Sequence, residues 1–282
     1  MATMTNQTGT SEPSAETPDA PEPASERNES RSSALPASTE RLRDTIQQLH
    51  RLMMLYEFGM QEVMTKVNIL RSEFQRTHEY NPIEHVSSRL KSPESLIKKV
   101  HKKQLSLDAA VIRESVQDIA GVRLTCSFVS DIYRMRDLLL KQSDLTLVRE
   151  RDYIQNPKAN GYKSLHLVVE VPVFLAEGVE QVPVEIQLRT VAMDFWASLE
   201  HKIYYKYDKV VPRHLTDALK LAADMAATLD TSMERIHQEI LELDVARRKE
   251  EGYEGEEQMD DIVETIMRSF PDILDAPPET DS

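Results

Sequence analysis

Apolar side chains recur at three- and four-residue steps from Leu42 through Ile46, Leu49, Leu52, Met53, Tyr56, Met60, Val63, Val67 and Leu70. This spacing predicts one long helix from Thr39 to about Tyr80, which Asn81-Pro82 ends. Two short helices are expected next, a basic one over 93–104 and another over 108–115. The period then changes to two. A strand over 121–128 puts Val122, Leu124, Cys126 and Phe128 on one face, and a helix at 130–141 leads to a strand at 144–152. Asn156-Pro157 and Asn160-Gly161 mark a loop before a strand at 162–172, and a further strand at 182–190 runs into a helix at 191–206 whose Phe195, Trp196 and Leu199 are expected in the core. Val211-Pro212 breaks the chain ahead of a long helix over 214–249, with Leu219, Leu221, Met225, Leu229, Met233, Ile236, Ile240 and Leu243 as its apolar face. Met259, Ile262, Ile266 and Phe270 outline a short amphipathic helix near 259–270. The predicted class is α+β: a mixed sheet of about four to five strands flanked by helices, with long helices at both ends.

Residues 1–38 contain almost no large apolar side chain, so they cannot bury enough surface to offset their ordering entropy and are expected to be disordered. The expected organisation is therefore one folded domain over 39–249 between an N-terminal tail, 1–38, and an acidic C-terminal tail, 250–282. Charge follows the same division. Of the net −14, residues 1–40 carry −5 and 250–282 carry −11, which leaves +2 on the middle of the chain. The acidity belongs to the ends, and the slightly basic middle suits anionic substrates. The single cysteine, Cys126, sits in an apolar run. One cysteine excludes an internal disulfide framework and a cysteine-based metal site, and this one is expected in the core. No stretch approaches the length of a membrane span, and the N-terminus lacks the pattern of a secretory signal; a cytoplasmic location is expected by elimination.

Five segments could carry chemistry. In Arg89-Leu90-Lys91-Ser92-Pro93-Glu94-Ser95, Ser92 fits an N-cap and Pro93 the first helical position, while Lys91, Ser95, Lys99 and Lys103 share one face. A polyphosphate cradle at a helix start, an RNA-binding face and a solvated basic face all fit. Asp118, at the edge of the first strand, precedes Arg123 on its polar side, as either a Mg²⁺-and-nucleotide site or a surface salt bridge. The stretch from Arg151 to His166 brings Lys158, Tyr162, Lys163 and His166 around a glycine turn, suited to base stacking and phosphate gripping or to structure alone. Glu185, Gln187 and Arg189 line one face of their strand while Val184, Ile186 and Leu188 line the other. Three polar residues on one face are costly to bury without partners, so this face is either a site or exposed. In Met193 to Lys202, Asp194, Glu200 and His201 are ambiguous, and Glu200-His201 lacks metal-ligand spacing.

Taken in order, His85-Val86-Ser87-Ser88-Arg89-Leu90-Lys91-Ser92, Asp118-Ile119-Ala120-Gly121-Val122-Arg123, Arg151-Asp152-Tyr153-Ile154 through Gly161-Tyr162-Lys163-Ser164-Leu165-His166, and Glu185-Ile186-Gln187-Leu188-Arg189-Thr190 with Met193-Asp194-Phe195-Trp196-Ala197-Ser198-Leu199-Glu200-His201 resemble the synthetase domain of the RelA/SpoT superfamily, in its stand-alone small alarmone synthetases. The resemblance covers about residues 45–245. It implies a nucleotidyltransferase-like fold, ATP as pyrophosphate donor, GDP or GTP as acceptor through its ribose 3′-hydroxyl, and (p)ppGpp and AMP as products in the stringent response. It further implies that Arg89 and Arg123 sandwich the adenine and that Lys91, Ser95 and Lys99 hold the ATP phosphates with Arg151. Asp118 and Glu185 would hold Mg²⁺, with Glu185 also orienting or deprotonating the attacking hydroxyl. Tyr162 would stack on guanine, Lys158 and His166 would meet the acceptor's phosphates, and Gln187, Asp194 and Glu200 would shape its pocket. A homo-oligomer, up to a tetramer, is expected, with the long helices packing around the sheet or making those contacts.

His85, Ser87 and Ser88 stand where tetrameric members with an allosteric alarmone site have an aromatic, Thr and Gly, so activation by product is not expected here. Asp194 replaces an Asn of some members. No His-Asp dipeptide occurs, so the hydrolase half of the long bifunctional relatives is not expected. A catalytically inactive binder of nucleotides or single-stranded RNA is the competing reading. It has no use for carboxylates beside phosphates, which repel without a cation. A helical scaffold would explain the long helices but none of the polar strand-face residues.

Overall fold

In the computed structural model, the residues described are 37–78, 80–207 and 211–250, with Thr265 and Arg268 alone beyond them. Residues 1–36 of the expected tail over 1–38, and the expected helix near 259–270 apart from Thr265 and Arg268, therefore lie outside the described residues. The chain divides into two compact units, Met1–Arg41, of which only the opening of the first helix is described, and Leu42–Ser282.

The elements follow in the order α1 (Ala37–Thr77), β1 (Ile83–Leu90), α2 (Pro93–Lys102), α3 (Ala109–Ser115), β2 (Ala120–Cys126), α4 (Val129–Leu140), β3 (Thr146–Asp152), β4 (Leu165–Leu175), β5 (Gly178–Thr190), α5 (Val191–Lys206) and α6 (Arg213–Glu250). The five strands form one mixed sheet in the order β1-β2-β5-β4-β3. Only the central pair, β2 and β5, is parallel; the other three pairings are antiparallel. The fold is α+β, as expected.

One face of the sheet is apolar because alternation puts Ala120, Val122, Leu124 and Cys126 of β2, Leu165, Leu167, Val169 and Val171 of β4, and Val182, Val184, Ile186 and Leu188 of β5 on the same side; all are buried. Tyr56, Val63, Val67 and Phe74 of α1 pack there with Ile132, Met135 and Leu139 of α4. Gly59 lets α1 approach: a Cβ there would lie 2.7 Å from Val182 Cγ1. Cys126 is buried and free, and burial pushes its thiol pKa up, as a core cysteine requires. A second, smaller cluster joins Trp196 and Ala197 of α5 to Leu219 and Ala223 of α6, and the Trp196 indole N–H donates to Leu219 O at 2.8 Å.

Three expectations need correction. β1 is a strand that periodicity did not indicate, because it is an edge strand with polar side chains on both faces and a single fully buried residue, Ile83. Phe195 (70% exposed) and Leu199 (39%) lie outside the core; α5 turns Met193, Trp196 and Ala197 inward instead. The apolar face of α6 also divides: Leu219 is buried, whereas Leu221, Met225, Leu229, Met233, Ile236, Ile240 and Leu243 are exposed.

Candidate active site

Because β2 and β5 are parallel neighbours, their polar faces merge. Gly121 stands opposite Glu185 and Arg123 opposite Gln187. The row continues outward: Ser87 of β1 pairs with Arg123, His166 of β4 with Gln187, and Arg151 of β3 with His166. Opposed residues in a ladder share a face, so five strands contribute polar side chains to one surface. α5 walls it, and the result is a cleft of about 540 Å³ lined by Arg89, Lys91, Asp118, Arg123, Tyr162, Glu185, Gln187, Arg189 and Glu200, among others.

Both carboxylates line this cleft. Asp118 is gripped by Lys99 Nζ at 2.5 Å and Lys91 Nζ at 3.2 Å. Burial opposes its ionisation, but the two ammonium groups together outweigh that and hold its pKa below the ordinary value. Glu185 is buried further; against that burial and the nearby charge of Asp118, His166 and Gln187 hold its pKa low too. Both groups are thus carboxylates at neutral pH. This donor set fits Mg²⁺, a hard cation that takes one or two protein carboxylates and completes its shell with water and substrate phosphate oxygens.

The other predicted residues fall as follows. The helix start at Ser92 is satisfied internally: Ser92 Oγ accepts from Ser95 N at 3.3 Å and meets Ser95 Oγ at 3.0 Å, and Pro93 has no N–H. The cations Arg89 and Lys91, rather than free amides, therefore face the cleft, and Ser95 is exposed. Asp194 pairs with Arg189 at 3.0 Å and with Arg123 at 3.2 Å. Lys158 Nζ lies 4.6 Å from the Tyr153 ring centre and 4.4 Å from that of Tyr162. His166 bridges Glu185 Oε1, 3.1 Å from its Nδ1, and the Tyr162 hydroxyl, 2.7 Å from its Nε2. Glu200 accepts from Asn160 Nδ2 at 3.1 Å. Arg151 is exposed on β3 and is reached only through the strand register.

Sequence reasoning placed Arg189 on a candidate face without giving it a role, and gave none to Asn160. Arg189 was visible as the third polar residue on the β5 face, but periodicity cannot tell a solvated guanidinium from the buried one found here, 4% exposed.

The comparisons with known proteins bear on this cleft. The family model described as "Region found in RelA / SpoT proteins" matches residues 88–210. The GTP pyrophosphokinase YwaC of Bacillus subtilis is 50% identical over 188 residues, which are 67% of this chain and 90% of that protein. This chain belongs to the RelA/SpoT family. Among solved structures of RelA/SpoT relatives, small alarmone synthetase 1 of Bacillus subtilis bound to its product pppGpp superposes with a TM-score of 0.64 at 37% identity, covering 68% of this chain and 98% of that one. The same synthetase bound to AMPCPP gives 0.61 at 35% identity, covering 70% and 99%. The RelA/SpoT region spans the cleft, from Ser88 at its β1 side to the end of α5.

Proposed function

We infer that this protein is a GTP or GDP diphosphokinase that makes the alarmone (p)ppGpp by moving pyrophosphate from ATP onto the 3′-hydroxyl of GDP or GTP, with release of AMP. One observation carries the reading: two ionised carboxylates, Asp118 and Glu185, face a single cleft otherwise rich in cations. The product-bound and AMPCPP-bound relatives support both nucleotide sites.

Transfer to a ribose hydroxyl asks mainly for alignment and for neutralisation of charge on the transferred oxygens. Arg89 and Arg123, from neighbouring strands, suit an adenine held between guanidinium planes, and Lys91, with Lys99 tied to the cleft through Asp118, suits the donor phosphates. The Tyr162 ring suits the acceptor's guanine, with Lys158 beside it for the acceptor phosphates and Gln187, Asp194 and Glu200 around it. Glu185 is the group to orient the 3′-hydroxyl and take its proton. Asp118 and Glu185 are the residues that would hold Mg²⁺, which when bound offsets negative charge on the phosphate oxygens. His166 reaches the acceptor region through Tyr162, Ser95 lies at the margin beside Ser92, and Arg151 is the outermost cation of the row.

Purified protein mixed with labelled ATP, Mg²⁺ and, in turn, GDP, GTP and GMP should yield AMP and a 3′-pyrophosphorylated guanosine. If no acceptor elicits AMP, the binder reading replaces this one. We also assign the protein to the cytoplasm and the stringent response, where its nucleotide substrates are found, and to a homo-oligomer; the uncovered apolar row of α6 supports the last.

A further inference from the structure

Arg189 makes four kinds of contact from a nearly closed position. Its Nη1 donates to Asp194 Oδ1 at 3.0 Å, and its Nε to Ser164 Oγ at 3.4 Å. Its Nη2 donates to the Tyr162 hydroxyl at 2.7 Å and to Gln187 Oε1 at 3.0 Å. From Nη2 both branches run to the same place. Along one, Tyr162 Oη lies 2.7 Å from His166 Nε2, and His166 Nδ1 lies 3.1 Å from Glu185 Oε1. Along the other, the Gln187 amide that accepts from Arg189 donates through Nε2 to Glu185 Oε2 at 2.9 Å.

The direction of donation is set from both ends, because a guanidinium only donates and a carboxylate only accepts. Having accepted from Arg189, the Tyr162 hydroxyl is free to give its hydrogen to His166 Nε2, which leaves the hydrogen on Nδ1 for Glu185. For Gln187, an oxygen facing Arg189 places the amide N–H toward Glu185 with no choice of flip. Each oxygen of one carboxylate thus receives a hydrogen bond that traces to one buried nitrogen.

We propose that Arg189 is the positioning residue of this site: through the Tyr162–His166 arm and the Gln187 arm it fixes the orientation of the Glu185 carboxylate. The proposal rests on the reading of Glu185 as the group that addresses the acceptor hydroxyl. It adds a coupling: the ring suited to the guanine, the Asp194 carboxylate and the attacking-hydroxyl carboxylate are all aligned by one guanidinium, so placing the acceptor base and aiming Glu185 are mechanically linked.

Arg189→Lys tests it. One ammonium cannot reach Ser164, Asp194, Tyr162 and Gln187 together. The expected result is a loss in kcat of roughly tenfold to a hundredfold and a raised KM for GDP, with the KM for ATP moved much less, since Arg89, Lys91 and Lys99 do not touch Arg189 and Arg123 meets it only through the shared Asp194 carboxylate. A loss spread equally over both KM values overturns the proposal. A double-mutant cycle sharpens the test. Tyr162→Phe keeps the ring and cuts one arm; it should cost kcat in the native background and much less beside Arg189→Lys. Equal factors in both backgrounds defeat the proposal. Should Arg189→Lys fail to fold, Tyr162→Phe combined with Gln187→Leu leaves the guanidinium in place; the double variant should lose more than the product of the single losses, and a simple product counts against it. A crystal structure of Arg189→Lys or of that double variant reads the same claim without turnover: the Glu185 carboxylate should leave its native orientation, and an unmoved carboxylate refutes the proposal. A wild-type protein that makes no product defeats the synthetase reading, while that crystallographic outcome still decides the role of Arg189.

Discussion

Asp118 and Glu185 are 67 positions apart in the chain, yet they share a cleft because β2 and β5 lie side by side in parallel, with Asp118 just ahead of β2. That neighbourhood is a property of topology, and alternation alone could show only that each residue sits on or beside a polar strand face. What was legible at the residue scale is the set of polar side chains on apolar strands: Arg123, Glu185, Gln187 and Arg189 were all on the expected side. What was not legible is partnering. His166 was read as a phosphate contact, and the structure engages it between Glu185 and Tyr162, an arrangement that depends on strand register. The prediction at this scale concerns charge without shape. Glu185→Gln keeps the size of the side chain and its capacity to accept from His166, but it cannot take a proton. Steady-state assays should show kcat down by about a hundredfold or more, with the KM of each substrate within a few-fold of wild type. Near-normal turnover would remove Glu185 from its role.

Elements were legible where burial enforces a period. The strands β2, β4 and β5 and helices α1, α4 and α6 were anticipated in place, with ends shifted by a few residues. β1 was missed because an exposed edge strand owes no alternation to a core, and Phe195 and Leu199 were misplaced because an apolar residue on a helix does not declare which neighbour covers it. Two junctions between elements give predictions. Gly161 has φ +90°, and a Cβ there would lie 2.5 Å from Ala223 Cβ on α6. Gly161→Ala is therefore both strained and overpacked, and it should lower stability by about 1–3 kcal/mol, visible as a lower Tm, while shifting the loop that carries Lys158 and Tyr162. Adding Ala223→Gly should recover only the steric part. The second junction is the start of α4, where the Asp131 carboxylate accepts from Tyr80 Oη at 2.5 Å and from Phe128 N at 3.2 Å. Burial, more than any neighbour, raises its pKa. An acid with a raised folded pKa contributes stability that is complete below its unfolded pKa, about 4, and lost as pH rises through the folded value. Asp131→Asn should therefore melt higher than wild type near neutral pH, and the gap should close on acidification below about pH 4, as followed by thermal melts across pH.

At the scale of the whole molecule, the charge and the apolar surface point to different partners. The net charge of −14 resides mostly in the two ends, so nucleotide capture depends on the local cations of the cleft rather than on the overall field. The apolar surface is concentrated on α6, where Leu221, Met225, Leu229, Met233, Ile236, Ile240 and Leu243 are between 42% and 69% exposed. A contiguous row of this kind marks an interaction surface more often than a solvated one. A bilayer is a poor match: no helix among the described residues is long and apolar enough to cross one, and the polar side of α6 carries Asp217, Asp224, Glu234 and Glu239 rather than the lysine-rich face of an interfacial helix. A second copy of the chain needs no complementary partner, since two such rows can bury one another about a two-fold axis. Light scattering on a size-exclusion column should therefore give a mass at or above that of a dimer, twice 32.3 kDa. Leu229→Asp with Met233→Asp, both on the exposed side of α6 and away from the cleft, should reduce that mass to one chain while the melting transition stays cooperative. A wild-type protein that elutes at the mass of one chain across micromolar concentrations would mean that α6 is covered by something other than itself, and the oligomer would have to be given up.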